Sequence, residues 1–412
     1  MSVLIIGGGQ AGLQVADSLR SEGYSLPITV VADEAQLPYQ RPPLSKDYLK
    51  SGGVPEPMPL RGPAFFAEHD ITLIQGFAAA SVDRANRTVA LDDGRILGYT
   101  YLVFATGASN RRLSCPGASL PGVHGLRTLD DARRLHESLI RATNVVVVGA
   151  GFIGMEFAAA ARSHGCRTTV LSPSDRPMAR TLSPDMARWF IPAHERLGVE
   201  LHLGQSLSHV EPDARGKVGA VVSESGQRHQ ADLVVAGIGV TPNDQIAAES
   251  GLDVQNGILV DEQLRTSDPR ILAVGDCANF PNPRGNCRSR IESVQNATDQ
   301  GRHAARTILG LGSEYNALPW FWSTQGPYRL QIAGLVDPRN DTLVLGDPLA
   351  SKFSVLGFRD NQLVAVESMN RPADHMAARA LLGSGHRITR ELARSRGFSL
   401  KSALRDLTPL PA

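Results

Sequence analysis

Cysteine is scarce in this chain, which has only four in 412 residues. Cys115, Cys166, Cys277 and Cys287 lie far apart, and no two of them form a C-x-x-C pair. A structural zinc site and a dithiol redox pair both need closely spaced thiols. The sequence therefore predicts neither of these, no bound metal, and four reduced thiols.

Long apolar runs and an excess of charge of one sign are also lacking. No apolar run approaches the roughly 20 residues that a membrane helix needs. The opening run, residues 2–6, lacks the basic start and the cleavage site of a signal peptide. The formal net charge of +1 provides no broad attraction for nucleic acid. These absences predict a cytoplasmic protein that binds neither a membrane nor nucleic acid.

The chain does contain a duplicated pattern, a β-branched run followed by a G-x-G-x-x-G turn and a stretch of helical period. The glycines are Gly7, Gly9 and Gly12 in the first copy and Gly149, Gly151 and Gly154 in the second. In such turns the glycines allow a tight bend, close approach of the backbone to a pyrophosphate, and close packing of the helix on the strand. The helix N-terminus then presents N–H groups to the phosphates. Two copies predict two dinucleotide sites.

The two copies differ at the end of their second strand. Asp33 follows the predicted strand 28–31, about 20 residues beyond Gly12, where a carboxylate accepts hydrogen bonds from ribose hydroxyls. Ser172 stands at the corresponding position after the predicted strand 168–171. Because the second copy lacks the acid, its preference between NADH and NADPH stays open. Two such turns indicate one tightly held flavin and one exchanging nicotinamide nucleotide.

The length predicts two or three domains. Further strands are predicted at 87–91, 101–105, 233–238, 271–274, 352–358 and 362–367, and a helix at 294–309. The sequence texture changes at 319–322. The simplest division is a dinucleotide-binding domain (1–110 and 241–318) interrupted by a second one (111–240) and followed by a smaller α+β domain (319–412).

Several signatures, in order along nearly the whole chain, resemble those of the oxygenase-coupled NAD(P)H-dependent ferredoxin reductases. They are LPYQRPPLSK at 37–46, ATGA at 105–108, LRTLDDA at 126–132, GIGVTPN at 237–243, VGD at 274–276, ESVQNA at 292–297 and FWS at 321–323. The resemblance implies a glutathione-reductase-like α/β flavoprotein with two dinucleotide-binding domains and a C-terminal α+β domain. Segments 1–110 and 241–318 would bind FAD, and segment 111–240 would bind NAD(P).

The activity implied by the resemblance is hydride transfer from NAD(P)H to FAD, followed by single-electron transfers to a [2Fe–2S] ferredoxin. NADH is the favoured donor, with NADPH possible. The ferredoxin would serve a cytochrome P450 or a Rieske-type, ring-hydroxylating oxygenase, and the reductase would be a monomer or a homodimer.

The resemblance also implies the site residues. Lys46 and Glu156 would be catalytic, with Lys46 near flavin N5 and Glu156 paired with it beside the nicotinamide. The alternative for Glu156 is an exposed glutamate stabilised by the helix dipole. The implied cofactor-binding residues are Gly7, Gly9, Ala11, Gly12, Asp33, Arg41, Lys46, Ala79, Thr106, Gly107, Arg127, Gly149, Gly151, Ile153, Gly154, Glu156, Gly239, Asp276, Glu292, Val294 and Trp322.

Two features bear on the partner. Thr324 replaces an acidic residue of the family pattern, and Gly326-Pro327 replace a Tyr-Asp pair, and these departures predict altered partner recognition. The C-terminal segment is rich in basic residues, which suit an acidic ferredoxin or are merely solvated. They are Arg387, Arg390, Arg394, Arg396, Lys401 and Arg405, against Glu391 and Asp406.

Three other functions share the fold. A disulfide, peroxide or oxygen reductase needs a redox cysteine near the flavin, and residues 42–49 contain none. Rubredoxin and monodehydroascorbate reductases share more of the signatures and stay open as alternatives. A redox sensor of the apoptosis-inducing-factor type resembles residues 42–46 but carries long insertions that this chain lacks.

Overall fold

The computed structural model describes residues 2–49, 56–285 and 287–405. The chain divides into two compact units. Unit 1 comprises Met1–Gln40, Pro57–Ser109 and Val240–Ala317, and unit 2 comprises Arg41–Glu56, Asn110–Gly239 and Leu318–Ala412. Each unit therefore contains one of the duplicated glycine turns.

The described residues form helices in both units, and one helix follows each glycine turn. They are α1 (Gln10–Ser21), α2 (Pro63–Glu68), α3 (Leu129–Leu139), α4 (Phe152–Ser163), α5 (Pro184–Arg196), α6 (Gln245–Glu249), α7 (Val294–Ile308), α8 (Pro372–Gly383), α9 (Arg390–Arg394) and α10 (Leu400–Arg405). Short 3₁₀ turns occur at Pro42–Ser45, Asp47–Leu49 and Gly275–Cys277.

The strands up to the end of the second nucleotide-binding pattern are β1 (Val3–Ile6), β2 (Ile28–Ala32), β3 (Ile71–Gln75), β4 (Ala79–Asp83), β5 (Thr88–Leu91), β6 (Ile96–Gly98), β7 (Tyr101–Phe104), β8 (Ala108–Asn110), β9 (Val123–His124), β10 (Asn144–Val148), β11 (Arg167–Ser172), β12 (Val199–Leu203), β13 (Leu207–Pro212), β14 (Val218–Ser223), β15 (Arg228–Gln230) and β16 (Leu233–Ala236). The later strands are β17 (Val240–Pro242), β18 (Ile258–Leu259), β19 (Ile271–Ala273), β20 (Ala278–Asn282), β21 (Cys287–Ser289), β22 (Trp320–Gln325), β23 (Tyr328–Gly334), β24 (Asp341–Asp347), β25 (Lys352–Arg359) and β26 (Gln362–Met369).

Unit 1 is built on a parallel sheet in the order β19-β7-β1-β2-β3. Its central strands are continuous apolar runs because helices and loops cover both faces of a parallel sheet. All four residues of β1 are buried. Helix α7 packs against α1 through Gly301, where a Cβ would lie 2.9 Å from the carbonyl oxygen of Ala11. The antiparallel sheet β4-β5-β6 completes the unit together with shorter pairs.

Unit 2 repeats the design with a parallel sheet in the order β12-β11-β10-β16-β9. It also contains an antiparallel sheet of five strands in the order β22-β23-β26-β25-β24. Helix α8 covers this sheet through a core that includes Leu356, Val366, Ala378 and Leu381. The predicted α/β class with a C-terminal mixture of strands and helices is therefore confirmed.

No helix in the described part of the chain has the length and apolar content needed to span a bilayer. Within the same residues, no group of three or more His, Cys, Asp or Glu side chains is arranged to hold a metal ion.

Candidate functional site

The first glycine turn has the shape that a bound pyrophosphate requires. Gly7 has φ +114°, and a Cβ there would lie 2.1 Å from the carbonyl oxygen of Ala105. A Cβ on Gly12 would lie 2.0 Å from the Gly7 carbonyl oxygen, so α1 approaches the turn more closely than any side chain allows. Gly9 caps α1 without a side-chain hydrogen bond, and a Cβ there would meet no atom within 4 Å. The N-terminus of α1 is thus accessible to an anion.

Other predicted cofactor residues of unit 1 follow strands of the same parallel sheet. Asp33 is exposed directly after β2, Thr106 and Gly107 follow β7, and Asp276 follows β19 in a 3₁₀ turn. Because these strands are parallel neighbours, their carboxyl ends lie at one edge of the sheet, where open α/β sheets bind ligands. The fold thus brings three separate sequence signals to the edge of the sheet that holds the glycine turn.

Hydrogen bonds fix two of these segments. The Thr106 hydroxyl donates to the Asn243 carbonyl at 2.6 Å, and the Asn243 amide donates to the Thr106 carbonyl at 2.8 Å. In the Asp276 turn, the Gly275 N–H donates to Gln300 Oε1 at 2.7 Å. These contacts explain why the threonine–glycine and asparagine signatures, far apart in sequence, occur together.

The remaining predicted residues of unit 1 lie at element starts. Ala79 is buried at the first position of β4. Val294 is half-buried and opens α7, whose cap Ser293 accepts a hydrogen bond from the Asn296 N–H at 3.0 Å. Glu292 is exposed and its carboxylate lies 2.7 Å from Arg290 Nη2. An ion pair with Arg290 accounts for Glu292 structurally, and its predicted cofactor contact stays a prediction.

The second glycine turn reproduces the first. Gly149 has φ +103°, and a Cβ on Gly154 would lie 2.2 Å from the Gly149 carbonyl oxygen. Gly151 caps α4 with no side-chain hydrogen bond, and the nearest atom to a Cβ there is the Gly237 carbonyl oxygen at 3.7 Å. Ile153 in the first turn of α4 is 43 % exposed. This helix N-terminus is also shaped for a phosphate.

The position of the missing acid is buried in the second copy. Ser172 ends β11, and its hydroxyl accepts a hydrogen bond from the Ser174 N–H at 3.3 Å. Arg176, which the sequence places nearby, forms an ion pair with the exposed Asp175 at 3.0 Å. Arg180 is exposed. Of these two nearby cations, Arg176 is therefore already paired with a carboxylate of its own loop.

The RPPLSK end of the 37–46 signature, residues 41–46, packs within unit 2. Arg41 Nη1 donates to the Arg127 carbonyl at 2.9 Å, which joins two predicted cofactor residues. Arg127 precedes α3, whose cap Thr128 forms a capping box with Asp131. The Asp131 carboxylate also accepts from the Arg127 N–H at 3.1 Å. The backbone at Arg127 is thus held from both sides.

Lys46 and Glu156 form a buried ion pair. Lys46 Nζ lies 2.7 Å from Glu156 Oε2, and the side chains are 16 % and 2 % exposed. The 3₁₀ turn Pro42–Ser45 directs Lys46 to α4, and the ammonium also donates to the Pro42 carbonyl at 3.2 Å. Burying a charged carboxylate costs free energy unless an opposite charge or hydrogen bonds compensate it. The Lys46 ammonium provides such a compensating charge for Glu156. The alternative of an exposed Glu156 is excluded.

Two serines complete the surroundings of Glu156. Ser45 Oγ donates to Glu156 Oε2 and Ser323 Oγ donates to Glu156 Oε1, each at 2.6 Å. Ser45 belongs to the 37–46 signature and Ser323 to the 321–323 signature, but no sequence pattern predicts a role for either serine. Hydrogen bonds to a charged group contribute about 1.5–3 kcal/mol each, so the two serines and Lys46 together compensate the burial of the carboxylate.

Trp322 lies half-buried on β22, with its ring centroid 5.5 Å from that of Trp320. Alternation along the strand places Trp320 and Trp322 on one face and Ser323 on the other. The Arg379 guanidinium lies 4.2 Å from the Trp320 ring centroid, a cation–π contact. The predicted place of Trp322 beside a cofactor stays a prediction.

The cysteines are all free thiols. Cys277 is fully buried, and burial raises the pKa of its thiol above the ordinary value. Since the thiolate is the reactive form, Cys277 is not placed as a nucleophile. This agrees with the absence of cysteine from residues 42–49.

The residues present therefore fit two dinucleotides, because each unit presents an uncapped helix N-terminus with no acidic residue in its first turn. A family model described as pyridine nucleotide-disulphide oxidoreductase matches residues 1–301, and one described as reductase C-terminal matches residues 320–404. The chain belongs to the pyridine nucleotide-disulphide oxidoreductase family. Membership in this family confirms the predicted two-dinucleotide fold and implies FAD and NAD(P)H as its cofactors.

Relatives of this family member agree with the resemblance drawn from the signatures. Rhodocoxin reductase of Rhodococcus erythropolis is 47% identical over 98% of this chain and 94% of its own. The ferredoxin reductase for the CYP199A2 system of Rhodopseudomonas palustris has a TM-score of 0.95 at 44% identity, covering 98% and 99% of the two chains. The putidaredoxin reductase of a covalent complex with putidaredoxin has a TM-score of 0.94 at 35% identity, covering 98% of both.

Proposed function

We propose that this pyridine nucleotide-disulphide oxidoreductase is an FAD-dependent NAD(P)H–ferredoxin reductase. The observation that carries the proposal is the buried ion pair between Lys46, which ends the 37–46 signature, and Glu156, which follows the second glycine turn. Residues 42–49, which include Lys46, contain no cysteine. A cysteine-dependent reductase would place a thiol in that stretch. The relatives whose names state their partner reduce small electron-transfer proteins, which supports the same class of acceptor here.

The two helix N-termini are proposed to divide the nucleotides between them. The turn Gly7–Gly12 of unit 1 would hold the FAD pyrophosphate, with Asp33 at a ribose, and the turn Gly149–Gly154 of unit 2 would hold that of NAD(P)H. When bound, FAD accepts a hydride as an electron pair and releases the electrons singly. The chain supplies binding, orientation and a fixed electric field.

The positive charge of Lys46 is the proposed source of this electric field. Its ammonium is mostly buried, and Glu156 and the Pro42 carbonyl hold it in one place. A preorganised cation stabilises negative charge as it develops, without the reorganisation that water would require. Glu156 in turn is held by Ser45 and Ser323, so the pair does not need to reorient during the reaction.

NADH is proposed as the preferred donor, with weak discrimination against NADPH. Ser172 provides no carboxylate to repel a 2′-phosphate. Arg176 is engaged by Asp175, which leaves less positive charge to attract that phosphate. The expected preference is a few tens of fold, about 2 kcal/mol.

The proposed acceptor is a [2Fe–2S] ferredoxin that serves a cytochrome P450 or a Rieske-type oxygenase. Five of the six basic C-terminal residues are exposed, and Arg390 pairs with Asp341 at 3.2 Å. Asp406 lies outside the described residues. Exposed cations favour rapid encounter with an acidic partner. The reductase is proposed to be a monomer or a homodimer.

The experiment is anaerobic reduction of the purified protein by NADH and by NADPH in separate runs. The protein is expected to contain about one non-covalent FAD per chain, and its absorbance is expected to bleach faster with NADH. A colourless protein that fails to take up FAD would contradict the proposal. Rubredoxin and monodehydroascorbate, offered as acceptors in the same apparatus, distinguish the alternatives, and slow turnover with every acceptor would favour a redox sensor.

A further inference from the structure

A line of buried polar side chains continues within unit 2 beyond the Lys46–Glu156 pair. Ser323, which donates to Glu156 Oε1, accepts a hydrogen bond from Gln325 Nε2 at 3.1 Å. Gln325 Oε1 lies 2.7 Å from His194 Nε2, on helix α5. Ser323, Gln325 and His194 each have no exposed surface. The line therefore joins the carboxylate to a fully buried imidazole.

The strand geometry produces this line. Ser323 and Gln325 are two positions apart on β22, so their side chains lie on the same face. Pairing with β23 fixes their register, with Ser323 opposite Leu330 and Gln325 opposite Tyr328. The intervening Thr324 points to the other face, so the departure from the family pattern at this position leaves the line intact.

The hydrogen-bond donors along the line all point toward Glu156. A carboxylate only accepts, so the hydroxyl proton of Ser323 goes to Glu156 and its lone pairs are left for Gln325. The Gln325 amide nitrogen donates to Ser323 and also contacts the Met178 sulfur at 3.4 Å. Its carbonyl oxygen then needs a donor, which His194 supplies only if its proton is on Nε2.

The state of His194 agrees with this direction. Burial lowers the pKa of His194 to about 4, so the imidazole is neutral near pH 7. Its Nδ1 has no hydrogen-bond acceptor among the described residues, as expected if the ring proton is on Nε2. A reversed Gln325 amide would place two acceptors, its carbonyl and the Ser323 oxygen, against each other. One arrangement of protons satisfies the whole line.

We propose that Ser323, Gln325 and His194 are positioning residues that hold the Glu156 carboxylate in the orientation that presents Oε2 to Lys46. Ser323 occupies Oε1, so the carboxylate cannot rotate without breaking a charge-assisted hydrogen bond. This inference rests on the proposed role of the Lys46–Glu156 pair in flavin reduction. It adds that the pair reaches its full effect on flavin reduction only when the line behind it is intact.

The first test replaces Ser323 by alanine and compares it with a matched control. Ser354 is an equally buried serine of the same sheet, and its hydroxyl donates to the carboxylate of Asp374 at 2.9 Å. We expect S323A to slow single-turnover flavin bleaching about tenfold, the loss of one hydrogen bond to a charged group, with half-saturating NADH changed less than about twofold. S354A is expected to bleach at the wild-type rate, and S323T, which keeps the hydroxyl, to recover most of the loss.

The second test does not depend on the cofactor. In the purified protein labelled with ¹⁵N-histidine, His194 is expected to be the Nε2–H tautomer at pH 7, and its ring resonances are assigned by their loss in H194Q. Its ring ¹⁵N shifts are expected to move in S323A and in E156Q but not in S354A. The similarly sized Gln325→Met breaks the next link and is expected to slow bleaching as S323A does, so a folding defect in one variant does not decide the result.

Distinct outcomes separate the two proposals. Wild-type bleaching in S323A and Q325M, with slow bleaching in E156A, would overturn the positioning role and leave the function of the pair in place. Wild-type bleaching in E156A itself would overturn the function of the pair. Equal losses in S323A and S354A, or unchanged His194 shifts in S323A, would reduce the line to ordinary core structure.

Discussion

Glu367 on β26 is a buried carboxyl that the proposed reaction does not use. It is 2 % exposed and accepts a hydrogen bond from the Ser183 N–H, at the N-cap of α5, at 2.9 Å. Burial raises the pKa of Glu367 to about 7, although the hydrogen bonds from Ser183 act in the opposite direction. Near neutral pH this side chain therefore makes stability depend on pH.

The direction of this pH dependence follows from the protons that Glu367 binds in the folded and unfolded states. Between its ordinary pKa of 4.5 and the folded value of about 7, Glu367 holds its proton in the folded state and loses it on unfolding. Stability then falls as pH rises through this window, by up to about 3 kcal/mol. E367Q keeps the acceptor for Ser183 but cannot ionise.

We expect the Tm of E367Q relative to wild type to rise progressively from pH 4.5 to pH 7.5. Both proteins share His194 and every other titrating group, so the difference isolates Glu367. Thermal unfolding followed by circular dichroism at four or five pH values measures it. A difference that stays flat across this range would mean that Glu367 titrates normally.

Lys46 and Glu156 are expected to act as a unit. K46A and E156A should each slow flavin reduction by NADH about a hundredfold, the scale of losing one preorganised stabilising group, with much smaller losses of FAD retention. The double variant should be little worse than the worse single one, because each residue acts through the other. Single-turnover bleaching measures all three, and strictly additive losses would show independent roles.

The sequence predicted the residues Lys46 and Glu156 but not the side chains that contact them. Each lies in or beside a recognisable signature, and their pairing follows from the family resemblance. Ser45 and Ser323 reach the same carboxylate across 111 and 167 positions of sequence. No local period or composition encodes such contacts, because they depend on how β22 and the turn before Lys46 pack on α4.

In the two glycine turns, alanine substitutions are expected to separate effects on folding from effects on nucleotide binding. Gly12→Ala should destabilise unit 1 by about 1–3 kcal/mol, because its Cβ meets the Gly7 carbonyl oxygen at 2.0 Å within a packed core. Gly9→Ala meets nothing within 4 Å and adopts ordinary extended backbone. It should therefore leave folding unchanged but weaken FAD binding, since its methyl group enters the space left for the pyrophosphate.

The same pair of changes exists in unit 2. Gly154→Ala should destabilise it, whereas Gly151→Ala should fold normally and raise the KM for NADH. Thermal unfolding together with FAD content and KM for the four variants checks these expectations. Normal FAD retention in G9A, together with a normal KM in G151A, would argue against phosphates at these helix ends.

Element boundaries were predicted closely where the chain is strongly apolar or clearly capped. The predicted helix 294–309 is observed at Val294–Ile308, with Leu309 as its C-cap. The predicted strand 233–238 ends earlier, at Ala236, because Gly237 follows. Likewise the strand predicted at 87–91 begins at Thr88, since Arg87 has φ +54° and belongs to the turn. Short strands such as β17 and β18 have too few residues to show a period.

For the whole molecule, the duplication and the signatures were enough to predict the fold class. The grouping of residues 41–49 with unit 2 was not foreseen, because it arises from long-range contacts such as that of Lys46 with α4. The assignment of the four predicted segments to FAD, NAD(P) and a C-terminal domain stays a prediction, as does the cytoplasmic location.

Electrons are expected to leave this protein one at a time, to a ferredoxin. The most direct measurement mixes the NADH-reduced protein anaerobically with an excess of oxidised [2Fe–2S] ferredoxin in a stopped-flow spectrometer, and follows the flavin and iron–sulfur bands separately. We expect rapid reoxidation of the flavin with about two ferredoxins reduced per flavin, and a slower reaction as the salt concentration rises. A flavin that stays reduced with every [2Fe–2S] ferredoxin offered, yet is rapidly reoxidised by rubredoxin or monodehydroascorbate, would contradict this expectation.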